Sequence, residues 1–166
     1  MVSTSKILVV VIVLIISSQS WAGGPAYTGL FPFLIDLKGW DADDATGMTM
    51  SGPSGNMLTV TRHYEQGAKN INVQIITGSM AQGAWSPFGA GFTIDTPEML
   101  LKTMEVSGFS VGINHSKSEN SGAVVVPLKG TDADAVFVLA YDGMGYEESL
   151  SLAKEFPWKE LQKALR

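Results

Sequence analysis

Asn70-Ile71-Asn72-Val73-Gln74-Ile75 alternates polar and apolar side chains without interruption. Successive residues of a strand point to opposite faces, so Ile71, Val73 and Ile75 fall on one side and Asn70, Asn72 and Gln74 on the other. The pattern predicts a half-buried antiparallel strand, one face packed and the other wet or lightly covered. Upstream, Met57 to Glu65 is rich in Thr, Val and Tyr, and Gly47-Met-Thr-Met-Ser51 alternates again. Gly52-Pro-Ser-Gly-Asn56 and Gln66-Gly-Ala-Lys69 supply the turns, because proline fixes φ while glycine and asparagine accept positive φ. Three strands on two short turns make a meander.

A second β section lies downstream. Phe109, Val111, Ile113 and His115 share one strand face, and Ser116 to Gly122 forms a polar hairpin loop. Ala123 to Leu128 is almost wholly apolar, Lys129 to Asp134 turns, and Ala135 to Tyr141 is apolar on both faces, which predicts a central strand covered on both sides. Between the sections, a glycine-rich segment containing Trp85, Pro87 and Phe88 reads as a short helix over 79–85 and then a loop. Thr96-Pro97-Glu98 has helix-start chemistry, yet Leu101 to Val106 alternates as a strand does, and both readings stand. Phe31 to Leu37 fits a strand or a short helical turn.

The C-terminus is helical. Glu147 to Glu155 carries Leu150, Leu152 and Ala153 on roughly one face. Phe156-Pro157 breaks it, since a residue before proline is pushed out of the α region. A second helix follows with Trp158, Leu161, Ala164 and Leu165 as its apolar stripe and Glu160 and Lys163 spaced for an i, i+3 pair. The expected fold is α+β: an antiparallel sheet of about six to seven strands in two meander sections, with helices between the sections and at the C-terminus.

Residues 1–22 read as a cleavable secretory signal. Lys6 precedes ten residues, Ile7 to Ile16, without a polar side-chain atom, and Ser20 and Ala22 supply a small-x-small cleavage site. A spanning helix needs ~20 apolar residues, so the run is too short for an anchor. Residues 23–30 then form a flexible tether and 31–166 a single domain, acting in the periplasm or secreted. The chain has no cysteine, so neither disulfides nor thiolate chemistry contributes. Lys6 leaves with the signal, so ten basic residues face sixteen acidic ones, a balance of −6. An acidic domain without a basic cluster is poorly suited to nucleic acid or to an anionic membrane surface. It suits a monomer or weak oligomer with no membrane span once the signal is removed.

No catalytic spacing stands out. The two histidines, His63 and His115, have no Gly-x-Ser-x-Gly elbow or cysteine to serve. His115 ends an apolar strand face, the position of a rim or satisfied core residue. His63 shares its face with Thr59 and Thr61, a solvent-exposed pattern. Met48 and Met50 share a strand face, and Met57 follows just past a turn. With His115 they are the metal candidates, since thioether and imidazole suit copper(I), although methionine is also a flexible core filler. Asp41-Ala-Asp-Asp44 and Asp132-Ala-Asp134 lack the glycine and bidentate glutamate of an EF-hand calcium loop and read as solvated turns. Trp85, Phe88 and Phe92 form a candidate partner or ligand surface or pack their segment onto the sheet.

Gly39-Trp40, Gly108-Phe109, and the run Ala135 to Tyr141 leading into Glu147-Glu-Ser-Leu-Ser-Leu-Ala-Lys-Glu-Phe156 mark an order of elements that resembles the PsbP-like α/β fold of small exported accessory proteins. The resemblance spans nearly all of the mature chain. It implies a small soluble protein that assists a membrane complex or has no known activity, and it carries no catalytic residues to transfer; no cofactor is expected, and the expected partner is an envelope protein or complex. The reading is therefore a periplasmic, non-enzymatic binding or accessory domain. The alternatives are a copper-binding protein using Met and His ligands and a small carboxylate- or His-dependent hydrolase.

Overall fold

The computed structural model describes residues 26–53, 55–129 and 133–165. The signal expected over 1–22 lies outside the described residues. Residues 26–30, expected as the end of a tether, begin a 3-10 helix over Ala26–Phe33 whose Leu30 is buried.

The described residues form an α+β fold with one antiparallel sheet of nine strands. In chain order they are β1 (Asp41–Ala42), β2 (Thr46–Gly52), β3 (Gly55–Gln66), β4 (Lys69–Thr77), β5 (Ile94–Asp95), β6 (Met99–Val106), β7 (Phe109–Ser116), β8 (Ser121–Lys129) and β9 (Ala135–Asp142). Helix α1 (Ser79–Trp85) lies between the two β sections, and α2 (Tyr146–Ala153) and α3 (Trp158–Ala164) close the chain. The spatial order is β1-β3-β4-β9-β8-β7-β6-β5, with β2 also pairing β3. The sheet exceeds the expected six to seven strands by β1 and β5. These two-residue strands are too short to show a periodicity in sequence.

The alternation at 70–75 is realised in β4: Ile71, Val73 and Ile75 are fully buried, while Asn72 and Gln74 on the opposite face are half-buried. β9 is the hinge of the architecture. It inserts between β4 and β8, so the C-terminal strand joins the two meanders into one sheet. Its odd residues Phe137, Leu139 and Tyr141 enter the main core under the 3-10 helix, α2 and α3. Its even residue Val136 enters a smaller core under α1 with Ile76, Ala81, Phe88 and Val125.

Thr96 shows how one chemistry serves two structures. Its Oγ1 accepts the Met99 amide at 3.0 Å, as a helix cap would, and its own amide donates to the Met99 carbonyl at 2.9 Å. That reciprocal pair closes a hairpin turn, and the chain continues as β6 rather than as a helix.

The N-terminal strap is fastened by Arg62 on β3. Its guanidinium donates to the Leu34 carbonyl and to Asp36 Oδ1, each at 2.6 Å, and to the Asp43 carbonyl at 2.7 Å. The guanidinium presents its donors in a rigid fork, so one side chain meets all three acceptors with little ordering cost per bond. Arg62→Ala is expected to lower stability by about 1.5–3 kcal/mol, the range for hydrogen bonds to a charged group. Arg62→Lys should recover only part of it. Urea unfolding of both variants checks the order.

Candidate functional site

The structure separates the sequence candidates. Met48 and Met50 lie on β2 and are 52% and 46% exposed. They are not the core stripe that alternation allowed, because β2 sits at the sheet edge with no strand beyond it. His115 is on β7, and β3, β4, β9 and β8 lie between it and β2. Five strand spacings of about 4.8 Å put it roughly 24 Å from the two methionines, so the three cannot share an ion. His63 is half-exposed and faces Glu65 Oε1 at 3.1 Å. Phe88 is buried, with its ring against Gly112 where a Cβ would overlap it, and Trp85 is tilted against it at 5.6 Å. Phe92 is 67% exposed, so the aromatic trio is split between core and surface. Asp41, Asp43 and Asp44 are exposed, and Asp134 accepts from Gln82 Nε2 at 2.9 Å. Asp132 lies outside the described residues. Among the described residues no three His, Asp or Glu side chains gather as a metal site.

His115 is held as part of the packing. Its Nδ1 lies 3.0 Å from Tyr141 Oη, its ring stacks on Tyr141, and Tyr146 of α2 tilts against it. Burial raises the Tyr141 phenol pKa well above its usual value. The phenol therefore stays protonated and shares a hydrogen bond with Nδ1. Tyr141 reaches across β8 because Gly122 stands between them in register and has no side chain. Lys102 Nζ sits 4.3 Å over the Tyr146 ring and 3.2 Å from its hydroxyl. The Glu147 carboxyl pKa is lowered, first by its own backbone amide and then by the Tyr146 hydroxyl. The cluster clasps α2 to the sheet.

A groove at the other end of the same face has a different character. The two-residue turn Ser107-Gly108 joins β6 to β7 with both φ values positive, 53° and 82°. That geometry matches the twist of a hairpin and lifts Ser107 to form one lip. The opposite wall is the α2–α3 corner, where Phe156-Pro157 turns the chain. A hollow of about 260 Å³ is lined by Ser107, Phe109, Phe156, Pro157 and Trp158, with Lys154, Lys159 and Glu160 at its rim. A second hollow of about 350 Å³ continues from Ser107, Phe109 and Lys159 to Gln162 and Lys163.

Two features set this groove apart. Lys154, Lys159 and Lys163 line it together, are exposed and make no ion pair among the described residues; Lys38, Lys102 and Lys129 also make none but do not line it. Glu160 and Lys163, spaced for an i, i+3 pair, do not form one, as the small worth of exposed pairs permits. The second feature is Trp158. It is 4% exposed, its ring packed edge-on to Phe109 at 5.7 Å and tilted to Phe137 at 6.0 Å. Its Nε1 is the one buried side-chain nitrogen or oxygen among the described residues without a hydrogen-bond partner. Leaving such a donor unmatched costs about 1–3 kcal/mol, so it calls for an acceptor. Sequence reading placed Trp158 in an apolar helix stripe. The groove was not visible because its walls come from residues about fifty positions apart.

In comparisons with family models, curated proteins and solved structures, nothing matches the chain.

Proposed function

We propose that the protein is an exported, non-enzymatic binding and accessory domain. In this reading the groove between the β6–β7 turn and the α2–α3 corner seats a ligand with an anionic head, carboxylate or phosphate, on an apolar body. One observation carries the reading: Trp158, whose indole N–H is buried without an acceptor, lines a groove rimmed by three lysines without an ion pair. Phe109, Phe156 and Pro157 offer the apolar body a floor, and the lysines offer the head charge. Most clefts for small molecules are built this way, apolar with a few convergent polar groups. The fastening of His115 inside the packed sheet favours binding over a histidine-dependent hydrolase. The sequence resemblance to the PsbP-like fold supports an envelope protein or complex as the partner served.

Calorimetric titration of the purified protein with benzoate and with phenyl phosphate tests the groove. Binding is expected to weaken as salt rises, because exposed charges are screened. Lys154→Gln/Lys159→Gln/Lys163→Gln should weaken it about tenfold, three exposed charges at roughly 0.5 kcal/mol each. Equal affinity in that variant, or no binding of either probe, contradicts the ligand class. Turnover of an ester, peptide or glycoside contradicts the non-enzymatic part. N-terminal sequencing of protein recovered from cells addresses export: a start at Gly23 supports it, and Met1 retained on cytosolic protein does not.

A further inference from the structure

We infer that Met48, Met50 and Met57 form a thioether site for a soft monovalent cation of the copper(I) type, at the free corner of the sheet and independent of the groove. Met50 lies directly opposite Met57 across the β2–β3 ladder. Directly opposed residues share a face with Cβ atoms about 4.5–5.5 Å apart, and diagonal neighbours lie about 7–8 Å apart. Met48 is two residues from Met50, so it sits on that same face, diagonal to Met57. Three unbranched side chains, each with three rotatable bonds, can bring their sulfurs together across such gaps.

The surroundings select the ion. No residue from Ala45 to Thr61 carries a charge, so the two strands of the corner supply neither carboxylate nor ammonium. Neutral thioether donors favour a soft monovalent ion over zinc(II) or calcium. His63 lies on this sheet face but four residues beyond Thr59, the partner of Met48, and is engaged with Glu65. Met57 Sδ accepts a hydrogen bond from Ser79 Oγ at 3.3 Å, which places its sulfur at the start of α1. The next residue there, Met80, is 48% exposed. Packing does not explain the exposed pair, since Met48 and Met50 leave about half their surface in water.

The test is titration of the purified protein, as the cell processes it, with silver(I), a redox-inert probe of copper(I) sites, followed by NMR of methionine methyl groups. One equivalent is expected to saturate, moving the Met48, Met50 and Met57 methyls together while Met99 and Met144 stay in place. Met48→Leu/Met50→Leu/Met57→Leu keeps the apolar surface and removes the sulfur, a near volume-conserving change. It should weaken silver binding by more than the roughly 10–100-fold that loss of an outer-shell partner costs a metal site. Met48→Leu/Met50→Leu, confined to exposed positions, should weaken it too and guards against misfolding of the triple variant. Met99→Leu, at the far edge of the sheet, should change nothing, and zinc(II) should leave the methyls unmoved. Unsaturated binding at one equivalent, undiminished affinity in the double variant, or movement of Met99 instead overturns the site.

Discussion

Trp158→Ala is expected to lower unfolding stability by about 3–5 kcal/mol, the cost of emptying a large aromatic site in a packed core. The ring is 4% exposed and bridges Phe109 on β7 and Phe137 on β9 to the α2–α3 corner. Phe137 also meets Phe156 at 5.1 Å, so removal of the indole undoes one side of an aromatic cluster rather than a single contact. Small domains are stable by about 5–15 kcal/mol in all, so the variant should fold but melt far earlier. Trp158→Phe separates packing from chemistry. It keeps most of the apolar contact and deletes the unmatched N–H, so its stability should fall by less than that of the alanine variant. Its affinity for phenyl phosphate should drop nonetheless. Urea unfolding with calorimetry on both variants checks the two effects. Retention of affinity in Trp158→Phe would remove the indole from the site.

The second large effect falls at Gly122. Its register partners are His115 on one side and Tyr141 on the other. A Cβ there would run into the Asn114 carbonyl oxygen and stand 2.7 Å from Tyr141 Oη. The first obstacle is backbone and cannot rotate away, so the β7–β8 ladder has to shift. The second is the hydroxyl that bonds His115. Gly122→Ala is expected to cost about 3 kcal/mol or more, overpacking plus a lost buried hydrogen bond. Gly83→Ala is the control. It lies inside α1 with nothing within 4 Å of the added atom, and should raise stability by about 0.5–1 kcal/mol. Thermal unfolding of the pair reads both signs in one experiment.

Much of the fold was legible because the strands are long enough to show their period. Ile71, Val73 and Ile75 declare the inner face of β4, and Phe109, Val111 and Ile113 that of β7, all buried as expected; His115, open as rim or core, is buried too. The apolar run of β9 declared a strand covered on both sides. Its neighbours were not declared, because nothing local to 135–142 encodes pairing with β4 some sixty residues earlier. Thr96 misleads in a definable way: a hydroxyl capping the amide three residues on is common to helix starts and to this hairpin turn. The candidate sites were less legible. Met48 and Met50 were visible as a pair. Whether they faced core or water depended on β2 being an edge. The groove needed Ser107 and Phe109 set against Lys154 to Lys163. The unmatched Trp158 N–H is a property of packing that composition cannot reveal.

The central claim is that Trp158 Nε1 is the donor of a ligand site. The most direct measurement is the indole ¹⁵N–¹H spectrum of the labelled protein during titration with phenyl phosphate. The account predicts that the Trp158 Nε1–H signal moves downfield and saturates, while those of Trp40 and Trp85 hold still. A Trp158 signal that stays fixed while Trp40 or Trp85 responds, or no response from any indole, would contradict it.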